Sequence, residues 1–265
     1  MNIVVCAKAV PSSTEVKMDP QTNTIVRDGR AAVVNPFDAT ALELALRIKK
    51  MRAQKGDPTT VTVLSMGIPA TQDLLRDCIA RGADGALLLS DRAFAGADTL
   101  ATTHALFCGL RKIGDVGLVL CGKMAVDGDT AQIGPELAGA LDVPCVADVG
   151  ELVRVDEERI AAWHATDEGR ELVEVGLPAV LTISKDAASL RMPSIEGVLH
   201  AEQAHIAVMT AADAGVDVSR IGLAGSPTQV VRSFVPERAV EACEISGTVG
   251  EQATRVAALI EEAMR

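Results

Sequence analysis

The run Gly122-Lys123-Met124-Ala125-Val126-Asp127-Gly128-Asp129-Thr130-Ala131-Gln132-Ile133-Gly134 has the residue types for holding a phosphate. Glycines let a backbone approach an anion closely, and unpaired N–H groups at a helix start point toward it. An apolar stretch, 116–121, feeds the run, and a helical pattern from Pro135 follows it. Thr130 and Gln132 add short polar donors suited to a phosphate or a ribose. Asp127 and Asp129 would repel a phosphate. They are expected either to turn away and brace the loop or to take ribose hydroxyls. The alternative for the whole run is an ordinary tight strand-to-helix turn before a capped helix.

The elements around this run are readable from periodicity. Short apolar runs at 3–7, 60–66, 86–89, 117–121 and 145–149 predict strands. Helical spacing predicts helices over 39–54, 71–81, 98–112 and 135–141; in the first, Ala41, Leu44, Ala45 and Ile48 share a face that Arg47, Lys49 and Lys50 avoid. Near-continuous apolar strands alternating with helices predict a parallel sheet covered on both faces. Ligands in such sheets bind beyond the carboxyl ends of the strands, at the point where strand order reverses. The ends to inspect are Cys6-Ala7-Lys8, Ser65-Met66-Gly67, Ser90-Asp91-Arg92-Ala93-Phe94-Ala95-Gly96-Ala97-Asp98-Thr99 and the glycine-containing run above. No G-x-G-x-x-G follows the first strand, so the standard dinucleotide fingerprint is absent.

Between the first strand and first helix, 16–27 reads as a hairpin around Pro20-Gln21-Thr22-Asn23. Asn35-Pro36-Phe37-Asp38 then opens the helix, with Asp38 expected as its N-cap. Beyond 150, stretches 151–155, 159–164 and 171–176 predict antiparallel strands, 179–184 a core strand and 189–198 a loop. Segment 222–236 is punctuated by Gly and Pro, and 250–265 is an amphipathic helix. The expected division is an α/β domain over 1–221 and an arm over 222–265 that packs on another subunit. The alternative is a tail folded back on its own domain.

Composition narrows the function classes. A net charge of -11 with no Lys/Arg run argues against nucleic acid, and 2% aromatic content against base-stacking platforms. No apolar stretch reaches the roughly 20 residues of a membrane span. The opening Met1-Asn2-Ile3-Val4-Val5-Cys6 already reads as a strand and lacks a basic leader pattern. Cysteines 6, 78, 108, 121, 145 and 243 show no C-x-x-C, and the four histidines show no ligand spacing. Reduced thiols, buried for the most part, a cytoplasmic location and no metal site are expected.

Five stretches together resemble one family over nearly the whole chain. They are Val4-Val5-Cys6-Ala7-Lys8, Asn35-Pro36-Phe37-Asp38, Ala80-Arg81-Gly82-Ala83-Asp84, Leu177-Pro178-Ala179-Val180 and, above all, the run from Gly122 to Gln132. They resemble the beta subunit of electron transfer flavoproteins, with Met124 where that family usually has Gln. The resemblance implies a three-layer α/β/α sandwich of the adenine-nucleotide-binding type, with a mainly parallel sheet and a C-terminal arm. It implies an alpha-subunit partner that holds one FAD, and an adenine nucleotide bound by this chain. Carried over by residue, Cys6 and Ala7 lie beside the adenosine, Asn35 and Asp38 border it, and Val63, Ser65 and Met66 end a strand against it. Gly122, Lys123, Met124, Ala125, Asp127, Gly128, Asp129, Thr130, Ala131, Gln132 and Ile133 would wrap the phosphates.

In ordinary members of that family the nucleotide is AMP; in the electron-bifurcating group it is a second FAD. The stretch from Ser90 to Thr99 and Gly225-Ser226-Pro227-Thr228 resemble the bifurcating group. That implies a pocket extended by Arg92, Phe94, Gly96, Ala97, Asp98 and Thr99, with Arg92 stabilising a reduced anionic flavin. The alternatives are a surface ion pair for Arg92 and a core anchor for Phe94. Bifurcation implies hydride from NADH, one electron passed to a ferredoxin or flavodoxin, and the other passed through the alpha-subunit flavin to an acyl-CoA-type dehydrogenase. Ser189-Leu190-Arg191-Met192-Pro193-Ser194-Ile195 falls where the family carries the loop that docks the dehydrogenase, implying Met192 as anchor with Leu190 as rival. A nucleotide-dependent hydrolase or ligase on the same fold would need a base or metal ligands at the phosphates, where only Asp127 and Asp129 stand.

Overall fold

The strands run as apolar stretches because both faces of the sheet are covered. Ile3, Val4 and Val5 are all fully buried, as are Leu118 and Leu120. The structure, a computed structural model, describes residues 1–12, 32–231 and 243–264. The chain divides into two units, Met1–Val231 and Arg232–Arg265.

In the first unit the strands are β1 (Asn2–Cys6), β2 (Ala9–Pro11), β3 (Ala32–Val34), β4 (Thr60–Met66), β5 (Gly85–Leu89), β6 (Val116–Gly122), β7 (Cys145–Val155), β8 (Arg159–Thr166), β9 (Gly169–Gly176), β10 (Ala179–Ile183) and β11 (Ala207–Met209). The helices are α1 (Pro36–Ala53), α2 (Thr71–Ala80), α3 (Thr99–Ile113), α4 (Ile133–Leu141), α5 (Ile195–Gln203) and α6 (Ala211–Ala214). Nine strands form one sheet in the order β11-β5-β4-β1-β6-β10-β7-β8-β9. It is parallel from β11 to β7, and β8 and β9 extend it antiparallel.

Alternate side chains of each strand enter opposite layers. Ile3, Val5, Val61 and Val63 meet Ala41, Leu44 and Ile48 of α1 and Leu75 of α2. Val4, Cys6, Leu64 and Val119 meet Leu106 and Leu110 of α3 and Leu137 of α4. This is the expected α/β/α sandwich. The chain builds outward from β1 through β4 to β5, then returns to lay β6 on the other side of β1. Strand order therefore reverses between β1 and β6, where Cys6 lies in register with Cys121. A crevice opens beyond such a pair of carboxyl ends.

Several expectations need correction. The strand expected at 145–149 and that at 151–155 are one, β7, bent by register shifts at Val149 and Leu152. The expected loop 189–198 ends at Ser194, whose Oγ accepts from Gly197 N at 2.9 Å and starts α5. Asp38 is not an N-cap: α1 begins at Pro36, after Asn35, and proline is pre-shaped for that position. The short pairing of β2 with β3 and the edge strand β11 carried too few apolar residues to be read. The expected hairpin at 16–27 lies outside the described residues. Cys145 and Cys243 are exposed, and all six cysteines are free.

The expected arm boundary at 221/222 falls inside the first unit. Leu223 N donates to Ala95 O (3.0 Å), and Asp98 N donates to Ser226 Oγ (2.8 Å). A Cβ on Gly222 would lie 2.1 Å from Ala93 O, so glycine is required for this close approach. The second unit holds α7 (Val249–Ala263). Thr248 and Glu251 cap it reciprocally, and Val256, Leu259 and Ile260 lie at helical spacing along it. Among the described residues no helix is long and apolar enough to cross a membrane.

Candidate functional site

The crevice between β1 and β6 is shaped by the first turn of α1. Asp38 accepts from Lys8 N through Oδ2 (2.8 Å) and from Gly122 N through Oδ1 (2.9 Å), so one carboxylate ties the ends of both strands. Burial pushes that carboxyl up to about 7, against the pull of the Lys8 and Gly122 N–H groups and of Asn35. Asn35, fully buried, donates from Nδ2 to Met124 O (2.8 Å) and accepts from Val126 N (3.2 Å). A Cβ on Gly122 would lie 2.4 Å from Asp38 Oδ1, so only glycine lets the strand end meet α1. Asn35 and Asp38 therefore position the loop from beneath.

The first half of the loop is held by charge. Lys8 Nζ donates to Asp127 Oδ1 at 2.6 Å, and the Asp127 side chain is only 5% exposed. Lys123 Nζ donates to Asp148 Oδ2 (2.8 Å), while its backbone N donates to Ile183 O (2.9 Å). Burial would raise the Asp148 carboxyl, yet bonds from Lys123 and Ser184 carry it below its ordinary range. The Lys8 side chain, Asp148 and Ser184 are site-supporting residues that the sequence reading missed. An acid inside the apolar run 145–149 was the available signal for Asp148.

The second half of the loop faces outward. Gly128, Asp129, Thr130, Ala131 and Gln132 are exposed. The positive φ angles fall on Asp129 (52°) and Ala131 (55°), not on Gly128. Non-glycine residues in this region cost about 1–3 kcal/mol each and cluster at functional sites. Ala131 in the left-handed region followed by Gln132 in the right-handed one turns successive N–H groups to one side, an anion-binding concavity. The Gln132 side chain makes no capping bond to α4, so the amides of Ile133 and Gly134 stay available to an anion. Gly134 seats that helix close on β10, where a Cβ would lie 2.2 Å from Thr182 Cγ2.

One strand further from this loop the sheet supplies Ala7, whose N donates to Leu64 O at 2.9 Å, and then Ser65 and Met66. Cys6 points into the core layer beneath α3 and α4, and Val63 is fully buried in the opposite layer. Ser65 is buried, and Met66 is half-buried at the strand end.

The 90–99 segment lies on the other flank. A short 3-10 turn, Arg92–Phe94, follows β5, with Asp91 accepting from Ala93 N at 3.0 Å. Phe94 is 6% exposed and packs in the core layer with Leu89 and Ile221. Gly96 has φ 74° and abuts Leu223. Asp98 caps α3 through Ala101 N (3.0 Å) and also accepts from Thr228 Oγ1 (2.8 Å). Thr99 Oγ1 donates to Glu136 Oε1 (3.0 Å), joining this segment to α4 and so to the phosphate-type loop. Ala97 is half-buried, and Arg92 is exposed with no ion pair among the described residues.

In the 189–195 segment, Arg191 Nε donates to buried Glu43 at 2.8 Å, and Arg81 donates to Arg191 O. Leu190 is half-buried against the core, whereas Met192 is 82% and Ile195 84% exposed. Ile195, part of that stretch but given no anchoring role in the sequence reading, is a second projecting apolar side chain. Among the described residues no cluster of His, Cys, Asp or Glu is arranged to hold a metal.

Comparison with known proteins fits this geometry. The electron transfer flavoprotein domain matches residues 22–214. The chain is 44% identical to the caffeyl-CoA reductase-Etf complex subunit CarD of Acetobacterium woodii over 89% of this chain and 88% of that one. It is 42% identical to an electron transfer flavoprotein subunit beta of Clostridium acetobutylicum over 99% and 98%, respectively. Protein FixA of Azorhizobium caulinodans is 42% identical over 91% of this chain and 86% of its own length. With the reversed strand order, the braced loop and these relatives together, the chain belongs to the electron transfer flavoprotein family and is of its beta-subunit type.

Proposed function

We propose that this chain is the beta subunit of a heterodimeric electron transfer flavoprotein in the cytoplasm, and that it holds an FAD of its own in the β1/β6 crevice. The observation that carries FAD over AMP is the 90–99 segment. It is locked to α4 by Thr99–Glu136 and to 226–228 by Asp98, and at the carboxyl end of β5 it presents Arg92, exposed and without an ion pair among the described residues. A nucleotide ending at its phosphate has no use for such a wall. The loop amides and the start of α4 would bind the phosphates, and Asn35 and Asp38 keep that loop in place from below. Arg92 supplies positive charge where a reduced, anionic ring would lie, and Gly96 keeps the backbone turned tightly beside it. The flavin itself, when bound, supplies hydride acceptance from NADH and single-electron release.

In this reading one electron goes to a ferredoxin or flavodoxin, and the other goes through an alpha-subunit FAD to an acyl-CoA-type dehydrogenase. The relative from Acetobacterium woodii, named as a subunit of a caffeyl-CoA reductase complex, supports a CoA-ester enzyme as the final partner. Met192 and Ile195 offer its docking surface, and unit Arg232–Arg265 is the arm toward the alpha subunit. The test is nucleotide content. Acid release from the complex co-purified with its alpha subunit is expected to yield two FAD per heterodimer. One FAD plus one AMP would refute the bifurcating assignment and leave an ordinary carrier.

A further inference from the structure

Glu43 is a carboxylate in the middle of α1 and is only 4% exposed. Charges are rarely buried unless they are paired. The main partner of Glu43 is Arg191, which donates from Nε (2.8 Å to Oε2), from Nη2 (3.2 Å to Oε1) and from its backbone N (3.2 Å to Oε2). Arg47 Nε donates to Oε1 at 2.9 Å. Burial would raise the Glu43 carboxyl, yet the bonds from Arg191 and Arg47 carry it below its ordinary range. The two side-chain bonds from Arg191 are the planar fork that a guanidinium makes with a carboxylate and an ammonium cannot.

These bonds fall on a stretch with no regular structure of its own, since the chain between β10 and α5 forms neither helix nor strand. The Arg191 carbonyl accepts from the Arg81 guanidinium at the end of α2, and Arg81 Nε is held by Asp77 at 2.8 Å. Thr40 Oγ1, one turn before Glu43, donates to Lys185 O at 2.9 Å. Beyond Met192, α5 is seated tightly on α2, where a Cβ on Gly197 would lie 2.1 Å from Ala80 O. The chain is thus pinned on both sides of Met192, whose side chain stands 82% exposed. Glu43 shares α1 with Asp38, which braces the phosphate-type loop about 7.5 Å away along the axis at ~1.5 Å per residue. One helix therefore sets the docking segment relative to the nucleotide site. We infer that Glu43, acting through Arg191, is the positioning residue that holds Met192 in its docking conformation for the dehydrogenase. An apolar anchor on a free segment has to be ordered at the moment of binding, and that cost weakens the complex. Glu43 is too buried to touch a partner; it removes the cost in advance. This rests on the docking reading of Met192.

The experiment uses the complex with its alpha subunit and an acyl-CoA dehydrogenase purified from the same cells, and follows electron delivery as the concentration of complex is varied. Glu43→Gln keeps the shape of the side chain but loses its charge and turns an NH₂ toward the arginines. It should raise KM for the complex by roughly tenfold, with kcat and nucleotide content unchanged. Deuterium exchange of the amides of residues 189–192 should quicken in this variant, while that of α2 should not. Added to Met192→Ala, Glu43→Gln should raise KM by less than about twofold further, because it acts only through that side chain. A merely structural role would give equal effects in both backgrounds. Arg191→Ala removes the same side-chain bonds from the half-exposed end of the pair, and it carries the test if Glu43→Gln does not fold. A KM left unchanged by these variants, or raised equally with and without Met192, overturns the inference and leaves Met192 as the anchor. No effect of Met192→Ala alone, or no electron delivery by wild type, overturns the docking reading and the inference with it.

Discussion

Asp38 is the most informative residue to perturb, because a buried carboxylate joins the two strand ends that frame the site. Its folded pKa of about 7, against an ordinary 3.8, means that the folded chain keeps the proton longer than the unfolded chain. Stability from this group is therefore full below the ordinary value and is lost as pH rises through about 7. At about 1.36 kcal/mol per pH unit the gap amounts to at most about 4 kcal/mol, of which about 2.5 kcal/mol falls between pH 5 and pH 8. Asp38→Asn removes the titration. It also turns an amide NH₂ toward one of the two backbone N–H donors, Lys8 or Gly122, leaving one buried amide unpaired at a cost of about 1–3 kcal/mol. Urea unfolding of both proteins at pH 5, 6, 7 and 8 separates these effects. The wild type should lose about 2.5 kcal/mol relative to the variant across that range, so that the variant becomes the more stable protein, or nearly so, at pH 8. Carboxylates with lowered values, such as Asp148, are ionised throughout this window and cancel in the comparison. A wild-type-minus-variant difference that stays constant from pH 5 to 8 would refute the assignment of a near-neutral, buried proton to Asp38.

Ala131 has a φ of 55°, so Ala131→Val should lower stability by about 1–3 kcal/mol in thermal unfolding and reduce retained nucleotide, whereas Ala131→Gly should do neither. Met192 is 82% exposed, so Met192→Ala should change stability by less than about 0.5 kcal/mol. The same variant should weaken binding of the partner dehydrogenase about tenfold or more, read by titration of the complex, with nucleotide content unchanged. Deleting 232–265 should leave the first unit folded by circular dichroism but unable to co-purify with the alpha subunit; deleting from 222 should also destabilise it, because Ser226 and Thr228 bond Asp98.

The sequence by itself determined the layers and the location of the phosphate-type loop. Both rest on local signals: unbroken apolar strands, helical spacing, and a polar glycine-containing run leading into a helix at Ile133. Ser194 as a cap was equally local, yet it was overlooked inside a stretch that read as loop. What lay beyond the sequence was the work each residue does. Asp38 has the chemistry of an N-cap, but Pro36 starts the helix two residues earlier and places the carboxylate between two strand ends that are 84 and 30 residues away. Phe94 and Cys6 sit in stretches that point to a ligand, and packing turns both into the core. Positive φ fell on Asp129 and Ala131 while neighbouring Gly128 stayed ordinary, because the ion pair of Lys8 with Asp127 and the start of α4 fix the path between them. The buried hydroxyls of Ser65 and Thr71 belong to two elements joined by a turn, and only the packing of α2 against β4 leaves both without a partner among the described residues. Periodicity records which face of an element avoids water; which buried polar atoms are left for a ligand depends on contacts between elements, and those exist only once the sheet has closed.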